Sequence, residues 1–285
     1  YQVDPSMVFA ANGSNEVLQT LLLSYGGPGR SAAVFEPTYA LHAHISRITG
    51  TAVIEGERSS EFALDRAELE RVFDLEPDIV FLCSPNNPTG IVEGAELVRR
   101  AVDRAGEVGS LVIVDEAYGQ FAPWSAIELV DDDRNVVVSR TFSKTWSMAA
   151  ARLGYMVGPS WVVEALDGVV LPYHLDAAKQ LAGTLALQFE EEMRARVDLL
   201  ISERQRVAAA LSQLPVDQWE SGANFILFRP RTQSGDAAWQ GLLDRGVLVR
   251  NCASWPLLTD CLRVTIGTPD ENDAFLGALA EILGT

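Results

Sequence analysis

Ser139-Arg140-Thr141-Phe142-Ser143-Lys144, with Arg152 eight positions further on, brings a primary amine, three hydroxyls and two guanidiniums into one short span. That set suits an amine that forms a Schiff base beside a bound phosphate. A plainer reading is a lysine in an exposed loop after the apolar run Val136-Val137-Val138. Lysine is scarce here, however: Lys144 and Lys179 are the only two among 22 lysines and arginines. Each therefore asks for an explanation.

Other segments carry compatible chemistry. Cys83-Ser84-Pro85-Asn86-Asn87-Pro88-Thr89-Gly90 follows the apolar run Asp78-Cys83. Prolines and asparagines directly after a strand make a rigid turn at the sheet edge where open α/β folds bind ligands. Ordinary turn chemistry uses the same residues, but the string is long, and an asparagine fixed between prolines can hold its amide toward a ligand oxygen. Val112-Ile113-Val114-Asp115-Glu116-Ala117-Tyr118 places an acid at the end of another buried strand. A carboxylate there is costly unless paired, and a protonated ring nitrogen would pair with it. A magnesium-holding acid is the competing reading. No G-x-x-x-x-G-K-[ST] occurs, which disfavours a nucleoside triphosphate.

Asn12-Gly13-Ser14-Asn15-Glu16 opens an apolar helix. Either its free N–H groups face a phosphate, or Ser14 or Asn15 simply caps the helix. Tyr39, after a proline turn, either stacks on a planar ring or packs half-buried. Arg152, just before a strand, suits bidentate phosphate contact. Arg263 lies inside the strand-like run Cys261-Ile266 and wants an anion, from the protein or from a substrate.

The elements that must position these residues alternate short apolar runs with amphipathic stretches, the pattern of a mostly parallel sheet covered by helices. Strands are expected at 52–54, 78–83, 111–115, 135–139 and 154–158, and helices at 16–25, 39–49, 94–107 and 160–166. A single long helical tract is expected from about 177 to 214. Beyond Pro215 follow strands at 224–228, 247–250 and 261–266 and helices at 236–245 and 272–283. The expected division is a large α/β domain over 1–173, then a connecting helix and a smaller α/β domain over 174–285.

With 48% hydrophobic and 21% charged residues, the chain has the composition of an ordinary globular protein. Its net charge of −17 argues against binding nucleic acid or anionic membranes, and no apolar run approaches a membrane span. Cys83, Cys252 and Cys261 are scattered, suggest neither disulfide nor metal site, and fit a cytoplasmic location. No leader is visible, but the chain opens at Tyr1 in what reads as the approach to an element. A preceding segment is therefore expected.

In order, S-P-N-N-P-T-G, D-E-A-Y, T-F-S-K and R-L-G-Y resemble the fold type I pyridoxal-phosphate (PLP) aminotransferases, specifically the bacterial histidinol-phosphate aminotransferase group. The likeness runs from Asn12 to the C-terminus. It implies a three-layer α/β/α large domain with a seven-stranded sheet, PLP as cofactor, and a homodimer with active sites at its interface. Lys144 would be the amine that carries PLP and then moves the Cα proton, with Asp115 on the ring nitrogen. Asn87 and Tyr118 would bind the phenolic oxygen, and Tyr39 would stack on the ring. Ser14, Asn15, Thr141, Ser143 and Arg152 would hold the phosphate. Arg263, helped by Asn224, would clamp a substrate carboxylate, and Arg250 would receive a substrate phosphate or pair with Asp260.

The implied reaction joins histidinol phosphate and 2-oxoglutarate. Another amino acid as substrate, a decarboxylase or β-lyase on the same scaffold, and a PLP-binding protein without turnover are the alternatives. The family carries a segment before the point where this chain opens, with a tyrosine that reaches the neighbouring subunit's phosphate. That segment has no counterpart here.

Overall fold

Ile79-Val80-Phe81-Leu82-Cys83 and Leu111-Val112-Ile113-Val114-Asp115 are buried along their whole length, as strands covered on both faces must be. In the computed structural model, which describes residues 1–284, they lie at the centre of a seven-stranded sheet. Its strands are β1 (Val8–Ala11), β2 (Ser31–Glu36), β3 (Ala52–Glu57), β4 (Ile79–Cys83), β5 (Leu111–Asp115), β6 (Val136–Thr141) and β7 (Gly154–Val157). The order across the sheet is β1-β7-β6-β5-β4-β2-β3. From β6 to β3 neighbouring strands run parallel, and β7 is antiparallel to both of its neighbours.

Alternate residues of these strands feed two cores. Val34, Ile79, Phe81, Ile113 and Val137 face one way, toward helices α1 (Ser14–Tyr25), α2 (Leu41–Ile48) and α5 (Ser160–Asp167). Phe35, Val80, Leu82, Val114 and Val138 face the other way, toward α3 (Arg66–Phe73) and α4 (Ala95–Val108). At about 25 cal/mol per Å² of apolar area, this two-sided burial fixes the register. A one-residue slip would exchange every side chain between the two cores.

The expected single helix over 177–214 is instead two. α6 (Ala177–Ala186) runs into a 3₁₀ turn at Leu187–Phe189, and α7 (Glu190–Leu211) starts afresh. Phe189 has left the helical basin, and Glu190, Glu191 and Glu192 fill the first turn of α7. Three carboxylates there complement the positive end of the helix dipole, a start signal inside the tract. Then comes a four-stranded antiparallel sheet, β8 (Val216–Gln218), β9 (Phe225–Pro230), β10 (Arg250–Asn251) and β11 (Leu262–Thr265), in the order β10-β11-β9-β8. It shares an apolar core with α7, α8 (Gly235–Asp244) and α9 (Pro269–Leu283). Among the described residues no helix is long and apolar enough to cross a membrane.

The topology brings the chemistry to one edge. β2, β4, β5 and β6 all end there, so Tyr39, Asn87, Asp115 and Lys144 follow carboxyl ends on the same side. β1 runs parallel to β6 and delivers Gly13-Ser14-Asn15 to that edge. β7 runs the opposite way and starts there, two residues after Arg152.

Candidate active site

Asp115 is 2% exposed and held on both oxygens. Oδ1 accepts from the Ala117 amide at 3.1 Å and the Ser139 hydroxyl at 3.4 Å, while Oδ2 lies 3.0 Å from His42 Nε2. His42 is fully buried and stacked on Phe81, with ring centroids 4.6 Å apart. Its Nδ1 has no hydrogen-bond partner. Sequence reasoning missed His42. The available signal was a histidine one turn past Tyr39, whose ring stands edge-on to it at 5.4 Å.

The two asparagines of the proline turn divide their work. Asn86 is wholly buried: it accepts from Thr38 Oγ1 at 2.8 Å and donates to Pro37 O and Thr89 Oγ1, each at 2.9 Å. It thereby ties this turn to the one that carries Tyr39. Asn87 is left to the cleft, where its Oδ1 accepts from Arg263 Nη1 at 2.5 Å. The Arg263 guanidinium lies 4.6 Å from the Phe225 ring centroid, and its Nε is buried without a partner. Trp255, also missed, donates to Thr38 O at 3.0 Å and joins the loop after β10 to the Tyr39 turn.

Lys144 keeps an open side to solvent, yet protein crowds its amine, which sits 5.1 Å from the centre of the Tyr118 ring. Burial, then the cations Arg263 and Arg152, lower its pKa against the opposing pull of Asp115. Tyr118 packs edge-on to Phe225 at 5.0 Å, and burial pushes its hydroxyl up to about 12. Burial also raises the Tyr39 hydroxyl.

On the flank, α1 starts at Gly13 (φ 82°) with no side-chain cap, so its first N–H groups stay available. A Cβ on Gly13 would come 2.6 Å from Arg152 Nη2. Arg152 itself has left-handed backbone, with φ 52° and ψ 58°. Its Nη1 approaches Ser143 Oγ at 3.4 Å and Ala149 O at 3.2 Å. Thr141 Oγ1 donates to Ser143 Oγ at 2.9 Å. A guanidinium, two hydroxyls and an uncapped helix start thus lie close together, the donor set that an oxyanion such as phosphate requires.

Arg250 and Arg263 are direct partners across β10 and β11. Arg250 is exposed and lies 5.4 Å from the Trp255 ring centroid. Asp260 makes no ion pair with it among the described residues and instead accepts from the Gly235 amide at 2.7 Å. The Asn224 carbonyl accepts from Ile266 N at 2.8 Å, which places this residue beside the end of β11.

The model for aminotransferase class I and II matches residues 1–279. The chain belongs to this family. Among curated relatives, the histidinol-phosphate aminotransferase of Streptomyces avermitilis is 45% identical over 280 residues, which are 96% of this chain and 74% of that one. The enzyme of the same name from Corynebacterium efficiens is 45% identical over 286 residues, 99% of this chain and 75% of that one. Among solved structures, histidinol-phosphate aminotransferase from Sinorhizobium meliloti in complex with pyridoxal-5′-phosphate superimposes with a TM-score of 0.88 at 23% identity, covering 99% of this chain and 78% of that one. In this chain the Lys144 amine, the buried Asp115 carboxylate and the group of Arg152, Ser143, Thr141 and the start of α1 lie at one sheet edge.

Proposed function

We propose that this aminotransferase binds PLP and transfers the amino group of histidinol phosphate to 2-oxoglutarate, giving imidazole acetol phosphate and glutamate. The residues fit the cofactor. Ser14, Asn15, Thr141, Ser143 and Arg152 would hold its phosphate and Asp115 its ring nitrogen. Asn87 and Tyr118 would bind its phenolic oxygen, Tyr39 would cover its face, and Lys144 would meet its aldehyde. When bound, PLP supplies an electron sink for the substrate's Cα electrons.

Lys144 then acts as the base and acid at Cα. The environment that lowers its pKa enlarges its neutral fraction at neutral pH. His42 fixes the Asp115 carboxylate in place from behind, so Asp115 is a catalytic residue and His42 a positioning one.

The observation that carries the substrate is the Arg250–Arg263 pair. Like charges directly opposite on one face of a sheet are unfavourable unless an anion joins them, and a phosphate or carboxylate would do so. Histidinol phosphate offers only the phosphate, while glutamate offers two carboxylates, so one cationic pair serves both half-reactions. Single-turnover half-reactions with histidinol phosphate and with histidinol test this. A charge-assisted contact of about 2–3 kcal/mol predicts a preference for the phosphate of roughly 30- to 150-fold. Equal rates, or a large preference for phenylalanine, would refute the substrate.

Leu171 (77% exposed), Tyr173 (98%), Leu181, Leu187 and Phe189 leave an apolar strip uncovered along the connector and α6. A second copy of the chain is its proposed cover, which sedimentation would reveal as a dimer. Three free, buried cysteines fit the cytoplasm, and the connector after Tyr173 is the proposed domain boundary.

A further inference from the structure

Lys179, the second of the two lysines, is the one whose place the transamination chemistry does not explain. It lies on α6, far along the chain from the phosphate cup, yet its Nζ donates to Asn12 Oδ1 at 2.6 Å. Asn12 directly precedes the Gly13-Ser14-Asn15 turn. Its amide nitrogen in turn donates to Glu16 Oε2 at 2.7 Å and to His174 O at 2.8 Å, and its backbone N–H donates to the same Glu16 oxygen at 2.6 Å. Every polar atom of the Asn12 side chain is thus engaged, with a cation on one side and an anion on the other. Such a chain polarises and strengthens its own links.

The connector fixes the cup a second time. His174 stacks parallel to Phe9 at 5.6 Å and its Nε2 meets Ala10 O at 2.8 Å. Gly183 of α6 approaches Leu153, the neighbour of Arg152, so closely that a Cβ would lie 2.5 Å from its side chain. Asp176 caps α6 through the Lys179 amide and pairs with its ammonium at 3.2 Å. The lysine is thereby aimed from a fixed base.

We propose that Lys179 is a positioning residue for the cofactor's phosphate. It holds Asn12 so that the turn after it presents its N–H groups, and it offsets the Glu16 carboxylate that lies in the first turn of α1 beside an incoming anion. The inference rests on PLP being the cofactor. It concerns the phosphate end alone, and that makes it separable from the aldehyde chemistry at Lys144.

The experiment titrates the full apo chain with PLP and, in parallel, with pyridoxal, which has the aldehyde but no phosphate. Tryptophan fluorescence reports binding, and thermal melts of the apo proteins run alongside. Lys179→Met, which keeps the stem but no donor, is expected to bind PLP about tenfold more weakly with pyridoxal affinity unchanged. Lys179→Arg, which restores a cationic donor, is expected to recover most of the loss. Inorganic phosphate should compete with PLP less well in Lys179→Met than in the wild type. Unchanged PLP affinity in Lys179→Met would overturn the proposal, as would an equal loss for PLP and pyridoxal, the mark of a merely structural contact. Wild-type protein that binds neither would remove the cofactor assignment itself and this inference with it.

Discussion

Arg58 and Glu93 form an ion pair at 2.5 Å with side chains only 1% and 2% exposed. The pair braces the turn that carries Asn87 from behind: Glu93 N donates to Ser84 Oγ at 3.1 Å, and Arg58 also donates to Phe35 O and Phe62 O, each at 3.1 Å. Burial raises the pKa of Glu93, against the pull of Arg58. The two single variants should therefore differ in kind. Glu93→Gln strands a guanidinium that cannot shed its proton, and a lone buried charge costs about 3–5 kcal/mol at any ordinary pH. In Arg58→Met the carboxyl can escape by protonation. Its folded pKa then lies further above the unfolded value, near 4.3. Above that value the unfolded chain has lost the proton that the folded chain keeps, so stability falls as pH rises, by about 1.4 kcal/mol per unit. Between about pH 5.5 and about pH 7.5, Arg58→Met should itself lose up to about 3 kcal/mol, and more than the wild type loses over the same range, provided the carboxyl stays protonated. Arg58→Met with Glu93→Leu should restore stability to within about 2 kcal/mol, the residue being the donors lost to Phe35 and Phe62. Urea unfolding at the two pH values measures all of this. An Arg58→Met loss that does not grow with pH, or a double variant no better than the singles, would refute the reasoning.

Lys144→Ala should abolish transamination, along with the visible absorbance of bound PLP and borohydride trapping at this position; retained turnover would exclude Lys144 as the amine. Removing a cation by Arg263→Ala should raise the pH at which Lys144 becomes reactive toward an amine-selective label, because Arg263 lowers its pKa; no shift, or a shift the other way, would show that the Arg263 charge does not control it. Asp115→Asn should keep part of its PLP and lose most of its rate, and His42→Phe should lose less, about ten- to a hundredfold, matching one hydrogen bond to a charged group. Near-normal kinetics in Asp115→Asn would mean that another acid holds the ring nitrogen. A Cβ on Gly154 would overlap the Ser14 amide nitrogen, so Gly154→Ala should cost about 1–3 kcal/mol and weaken PLP more than pyridoxal. Equal affinities would show that the cup tolerates the shift.

What could be seen in the sequence depended on how local the determining physics was. β4, β5 and β6 announce themselves because strands buried on both faces carry unbroken apolar runs, here residues 79–83, 111–114 and 136–138. β2, in contrast, is Ser31-Ala32-Ala33-Val34-Phe35-Glu36, and its alanines have little preference for a strand. Packing places it between β4 and β3. β1 spans four residues at the sheet's edge, too few to show a period. α3 holds only Leu69, Val72 and Phe73 buried in eight residues and reads as polar coil. The break between α6 and α7 has no proline or glycine to mark it, only a run of glutamates.

The same distinction separates the site residues. Lys144, Asn87 and Arg152 sit in turns, and Asp115 at a strand end, whose composition is itself unusual, so a local reading finds them. His42, Trp255 and Lys179 act through contacts made across the fold: His42 reaches Asp115 over 73 positions, Trp255 reaches Thr38 over 217, and Lys179 reaches Asn12 over 167. No spacing rule spans such distances, and each of these residues has an ordinary local explanation. What they share is that each fixes an atom or turn that a reacting group depends on. On the proposed function, variants at these three positions should shift affinity or rate with little loss of fold. His42→Phe and Lys179→Met separate the two effects, because the first should act on rate and the second on phosphate affinity. A shared loss of both in either variant would mean that the two ends of the site move as one body.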